Sequence, residues 1–169
     1  MISNKWPIRP MLLLDQGIAR EVYVDAVLNL PEKIYSKAQL DAWAAVALLP
    51  GVLDKTLQEG FGLVSCSETA IEAFAVLYPA DRVALLYCRA RSHRQGRGKQ
   101  LLQALEEQAI KQGVSQLRTE ASYISQPLFE SLGWITEQKE HLLIGGIAFE
   151  RFLMGKTLSP QSRFFLARN

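Results

Sequence analysis

The stretch RVALLYCRARSHRQGRGKQLL, Arg82 to Leu102, decides the reading of the chain. Val83 to Tyr87 is an unbroken apolar run of strand length. Arg89 to Gly98 is a basic loop with two glycines. Leu101, Leu102, Leu105, Ala109 and Ile110 then recur at helical spacing until Gly113 ends the pattern. Strand, glycine loop and helix in this order form a phosphate cradle: the first helical N–H groups lack partners, and glycine lets the backbone approach an anion. Two well-known cradles are excluded. A P-loop would need Gly at position 93 and Ser or Thr at 100, where His93 and Gln100 stand. A dinucleotide fingerprint would need a small residue where Leu101 stands.

Outward from this core the period changes twice. Before it, Phe61–Cys66 and Ile71–Tyr78 read as strands joined by a Ser67-Glu68-Thr69 turn. Earlier still come a short strand at Trp6–Arg9, a helix from Asp15 to Leu30, a helix capped by Ser36, and a short helix through Leu57 to Gly60. After the core, Leu117–Glu120 reads as a strand and Ser125–Leu132 as a short helix with Pro127 in its first turn. Trp134–Glu140 and Ile147–Met154 read as antiparallel strands around Gly145-Gly146. The expectation is one α/β domain over residues 1–158, with a central mixed sheet flanked by helices, and a loose tail over 159–169.

Composition bounds the function. The 169 residues carry a net charge of +2, too mild for a bulk nucleic-acid coat. The charge is uneven. Arg82, Arg89, Arg91, Arg94, Arg97 and Lys99 lie in a span, 82 to 105, without a single acid, which leaves −4 for the rest. No aromatic interleaving accompanies the cations, so a nucleic-acid partner is not expected. The longest apolar stretch, Ala42 to Leu53, is broken by Pro50-Gly51 and too short to cross a bilayer. No secretory pattern opens the chain, and two lone cysteines, Cys66 and Cys88, make neither a disulfide framework nor a metal site. A cytoplasmic protein without metal is expected, as a monomer or homodimer.

The run Leu86-Tyr87-Cys88 through His93-Arg94-Gln95-Gly96-Arg97-Gly98-Lys99 resembles the acetyl-CoA-binding motif, Q/R-x-x-G-x-G/A, of the GNAT N-acetyltransferase superfamily. Downstream, Glu120-Ala-Ser-Tyr-Ile-Ser-Gln-Pro-Leu-Phe129 through Gly133-Trp134 resembles that superfamily's second motif, in an "EAS…pFfe…GF" form. Tyr35 to Trp43 is similar to a "YS-x-x-QL-x-AWA" segment of one bacterial subgroup. The resemblance spans roughly Ile8 to Lys156. It implies a mixed, mostly antiparallel sheet and direct acetyl transfer from acetyl-CoA to an amine of a small molecule or peptide. It assigns Leu86, Tyr87 and Cys88 to the pantetheine, and His93, Arg94, Gln95, Gly96, Arg97, Gly98 and Lys99 to the pyrophosphate. Ser122 and Phe129 are assigned to the cofactor side as well. Two departures stand out. His93 replaces the motif's Gln or Arg, and Phe129 stands where many members carry a Tyr that protonates the leaving thiolate.

Tyr123 and Glu120 are then the candidates for acid and base, with a half-buried aromatic and a sheet-edge role as the alternatives. Tyr35, Asp41, Trp43 and Tyr78 are candidates for the acceptor pocket, with helix packing as the alternative for Tyr35, Asp41 and Trp43. Glu72 alternates with apolar neighbours, which suggests a solvent-facing strand residue, and His141 reads as a surface histidine. Phe129 and the missing base keep a second function in play: an acyl-CoA-binding or sensor module without turnover.

Overall fold

The computed structural model describes residues 6–159. These residues form seven strands and five α-helices. β1 is Ile8–Pro10, α1 Gln16–Leu28, α2 Lys37–Ala45, α3 Asp54–Glu59, β2 Phe61–Cys66, β3 Ile71–Leu77 and β4 Arg82–Cys88. α4 follows at Arg97–Lys111, β5 at Gln116–Ala121, α5 at Gln126–Ser131, β6 at Ile135–Ile144 and β7 at Ile147–Thr157. The strands form one sheet in the order β1-β2-β3-β4-β5-β7-β6. Every neighbouring pair is antiparallel except β4 and β5. The expected mixed, mostly antiparallel sheet flanked by helices is the architecture found.

Two apolar layers cover the middle of the sheet. On one face Ala19, Val22 and Val27 of α1 and Leu40 and Ala44 of α2 pack on Phe74, Val76 and Leu85. On the other, Leu101, Leu102, Leu105 and Ala109 of α4 pack on Ala73, Ala75, Leu77 and Val83. β3 is therefore buried at all seven positions. A strand covered on both faces has no solvent side, which is why Ala73 to Leu77 read as an apolar run rather than an alternation. The expectation of a solvent-facing Glu72 fails for this reason: Glu72 is 4% exposed.

Boundaries shift where tertiary contacts outweigh local signals. β6 and β7 extend past their expected ends because Gly145 and Gly146, both at positive φ, close a tight hairpin that pairs Ile144 with Ile147. α4 starts at Arg97 rather than near Leu101 because Gly96, at φ 83°, turns the chain directly into it. The tail expected over residues 159–169 lies, beyond Ser159, outside the described residues.

The parallel contact between β4 and β5 is short. It joins Arg82 to Arg118 and Val83 to Thr119, and then ends. The buried Thr119 hydroxyl donates to the Val83 carbonyl at 2.8 Å, just where the two strands part. Beyond that point β5 stays paired with β7 as far as Ala121, while Leu85 to Cys88 pair only with β3 and Ala84 falls at a bulge. A cleft therefore opens in the sheet, with the Cys88–Arg97 loop at its upper end.

Candidate active site

The loop from Arg89 to Gly96 is held from three sides. From β3, Glu72 binds the Arg91 guanidinium at 2.7 and 3.0 Å, the Ser92 hydroxyl at 2.7 Å and the Ser67 hydroxyl at 3.3 Å. Arg91 above all, with Ser92 and Ser67, holds the Glu72 carboxyl at about 2 despite its burial. From α1, Asp25 accepts the Ala90 N–H at 2.8 Å. From the N-terminal segment, the Trp6 indole donates to the Gln95 carbonyl at 3.0 Å, and Gln100 donates to the Trp6 carbonyl at 2.9 Å. His93, in the motif's first position, donates from Nε2 to the Cys88 carbonyl at 2.9 Å.

So braced, the loop presents bare donors. Among the described residues, no backbone N–H from Arg94 to Lys99 has an acceptor in the protein. α4 has no side-chain cap and no acid in its first turn. Two residues at positive φ, Arg94 at 59° and Gly96 at 83°, shape the approach. An uncapped helix start with free N–H groups fits an anionic phosphate group.

The side chains divide the basic span unequally. Arg82 binds Glu120 at 2.9 and 3.1 Å, Arg91 binds Glu72, and Arg89 binds the Ile71 carbonyl at 3.0 Å with Glu21 3.8 Å away. Arg97 is 3% exposed. Its guanidinium donates to the Ser65 hydroxyl and the Cys66 carbonyl and lies 3.9 Å from the Trp6 ring centre. Its side chain is thus turned inward, and only its backbone N–H faces the cradle. Arg94 and Lys99 are the exposed cations of the span without a charge partner among the described residues.

Leu86, Tyr87 and Cys88 lie on the part of β4 that faces the cleft unpaired. The Tyr87 side chain points away from the cradle: its hydroxyl accepts from the Trp43 indole at 3.3 Å, and its ring packs on Tyr23 and Phe74. Burial raises the Tyr87 phenol, and it pushes the Cys88 thiol up to about 11, which keeps both protonated near neutrality and makes Cys88 a poor nucleophile.

The candidates for acid, base and acceptor pocket separate into two groups. Tyr35, Tyr123 and Trp43 come together. Tyr35 is buried, accepts the Tyr123 N–H on its hydroxyl at 3.1 Å, and stacks edge-on with Trp43 and Tyr123. Ser122 and Ser125 exchange hydrogen bonds that shape the turn carrying Tyr123. The others do not join them. Glu120 is committed to Arg82 across the β4–β5 seam. Asp41 pairs with Lys37 at 2.7 Å on the exposed side of α2. Tyr78 donates to Glu59 at 3.0 Å at the opposite end of β3 from the cradle. Phe129 is 2% exposed and packs against Trp134, so the motif position where a Tyr is common lies in the core here.

A groove of about 730 Å³ adjoins Tyr35 and Tyr123. It adds residues that the sequence reading passed over, above all Glu150 on β7, and gives His141 a place in its wall. Glu150 binds the Tyr123 hydroxyl, and Lys139 lies 2.8 Å from it. Lys139 first, then Tyr123, hold the Glu150 carboxyl below the usual carboxylate range. Among the described residues no cluster of three metal-binding side chains occurs, and no helix is long and apolar enough to cross a membrane.

Comparison with known proteins gives the arrangement its context. A search of curated proteins finds no match. Among solved structures, a GCN5-related N-acetyltransferase of Rhodopseudomonas palustris is 25% identical, with a TM-score of 0.87 over 94% of this chain and 99% of that one. The PaiA N-acetyltransferase of Thermoplasma acidophilum, solved in complex with coenzyme A, is 17% identical, with a TM-score of 0.69 over 90% of this chain and 99% of that one. A phosphinothricin acetyltransferase of Sinorhizobium meliloti, solved with acetyl-CoA, is 20% identical, with a TM-score of 0.66 over 91% and 89%. The profile described as "Acetyltransferase (GNAT) domain" matches residues 32–152, more than two-thirds of the sequence, and the chain belongs to that family.

Proposed function

We propose that the protein is an acetyl-CoA-dependent N-acetyltransferase, in which an amine attacks the acetyl group directly within a ternary complex. The observation that carries this reading is the row of unpartnered backbone N–H groups, Arg94 to Lys99, at the mouth of the cleft between β4 and β5. These donors bind the pyrophosphate, and the uncapped start of α4 adds its partial positive charge. The unpaired edge of β4, from Ala84 to Cys88, accepts the pantetheine as an added strand, and an N–H there polarises the thioester carbonyl. Acetyl-CoA supplies an acyl group already activated as a thioester. The chain's own residues contribute position, since aligning two reactants is worth up to roughly 7–11 kcal/mol. The groove beside Tyr35 and Tyr123 receives the amine, which gives up a proton to a base or a water relay as its nitrogen bonds the acetyl carbon and the C–S bond breaks. Tyr123 donates its hydroxyl to Glu150, so as a proton donor to the thiolate it must first exchange that partner.

Two measurements test this reading. Acetyl-CoA should bind in calorimetric titration, and a panel of primary amines should include one that drives CoA release. Binding without any amine-dependent release would instead support the acyl-CoA-binding module without turnover. On the charge side, Arg94→Ala and Lys99→Ala should each weaken acetyl-CoA binding about three- to tenfold, as expected for exposed charge-assisted contacts, and flatten its salt dependence. Arg97→Ala should instead act on stability, because its guanidinium serves β2 and Trp6. If Arg94 and Lys99 can be removed together without a change in affinity, the ligand lies elsewhere.

A further inference from the structure

The groove beside Tyr123 carries an inference about the acceptor, and it rests on the acetyltransferase reading above. Its wall is apolar and aromatic for most of its extent: Ile34, Tyr35, Leu142, Leu143 and Phe149. Among the described lining residues Glu150 is the only carboxylate and Lys33 the only lysine. The two oxygens of that carboxylate are not equivalent. Oε2 takes the Tyr123 hydroxyl and the Lys139 ammonium. Oε1 has no hydrogen-bond donor among the described residues, since His141 Nδ1 stands 3.6 Å away, beyond bonding distance. A carboxylate can accept about four hydrogen bonds, so Oε1 retains open capacity while Oε2 is clamped and fixes the orientation of the group. Lys139 also keeps Glu150 ionised, which suits a counter-ion and not a proton acceptor.

We infer that Glu150 is a specificity-determining residue that reads a protonated amine carried on an apolar or aromatic body. The ammonium binds Oε1 of Glu150, and the body lies against Tyr123 and Leu143, which share that side of the β6–β7 hairpin. Because Lys139 already neutralises part of the carboxylate's charge, the discrimination rests on one charge-assisted hydrogen bond. Its loss should cost about tenfold in affinity rather than several hundredfold.

The test uses phenethylamine, its neutral analogue phenethyl alcohol and the anion 3-phenylpropionate as probes. Each is titrated into the full chain, without and with CoA, and into Glu150→Gln. The expected result is that phenethylamine binds the unaltered protein at least tenfold more tightly than the other two, and that Glu150→Gln removes this preference. A melting temperature and an acetyl-CoA affinity that stay unchanged in Glu150→Gln exclude misfolding as the cause. Equal binding of amine and alcohol, a preference for the anion, or a preference that survives Glu150→Gln would overturn the assignment. These titrations read amine binding directly. A failure of acetyl transfer would show in the CoA-release assay and leave this result standing.

Discussion

Gly96→Glu will abolish acetyl-CoA binding, a loss of more than about a hundredfold in affinity or roughly 3 kcal/mol. Gly96 precedes α4 at φ 83°, and a Cβ built there meets nothing within 4 Å. The substitution therefore does not act by crowding the protein. It places a non-glycine residue in the left-handed region, at a cost of about 1–2 kcal/mol, and sets a carboxylate among the N–H donors meant for phosphate. The carboxylate then repels the phosphates that those donors would bind. Calorimetric titration reads the binding loss, and a thermal melt should show only the modest cost of the backbone strain. Retained affinity in a folded Gly96→Glu variant would remove the cradle as the cofactor site.

The second large effect is on stability. Glu72→Gln should cost about 2 kcal/mol near neutral pH. Its carboxylate is buried and bonded by Arg91, Ser92 and Ser67, though the exposed Arg91 side chain lets water screen part of the interaction. The sign of the pH dependence follows from the lowered carboxyl. Folded, the group titrates at about 2, against an ordinary value of 4.5. Its contribution is complete above about pH 5 and drains away as the pH falls from 4.5 through 2, because the unfolded chain takes up the proton first. Urea unfolding at pH 7 and near pH 2.5 should therefore show a gap between the two proteins that narrows in acid. A gap of constant size would mean that Glu72 acts through packing and not through its charge.

Much of the fold could be read from local signals because the signals were strong. Val83 to Cys88, the glycines of the loop, and the leucine spacing of α4 each point the same way as the final structure. Glu72 misled because alternation was inferred where both sheet faces are covered, a fact that only α1 and α4 together create. Trp6 and Gln95 are 89 residues apart, and no local pattern announces that an indole at one end of the chain clamps the loop. Glu150 went unnoticed for a similar reason. Its neighbours Tyr123, Lys139 and His141 converge only through the register of β5, β6 and β7. The span of six cations was legible, but its chemistry was not: Arg82, Arg89, Arg91 and Arg97 are structural, and two cations are left for a ligand.

The short seam between β4 and β5 sets stability against use. Two residue pairs join the strands, and each further pair would add backbone hydrogen bonds and strengthen the sheet. Each would also fill the edge along Ala84 to Cys88 that a ligand needs. Engineering for heat resistance that zips this seam would thus select for an inert protein. Stabilising changes belong instead on the outer hairpin of β6 and β7 or along the covered face of α4, where no ligand competes for the backbone.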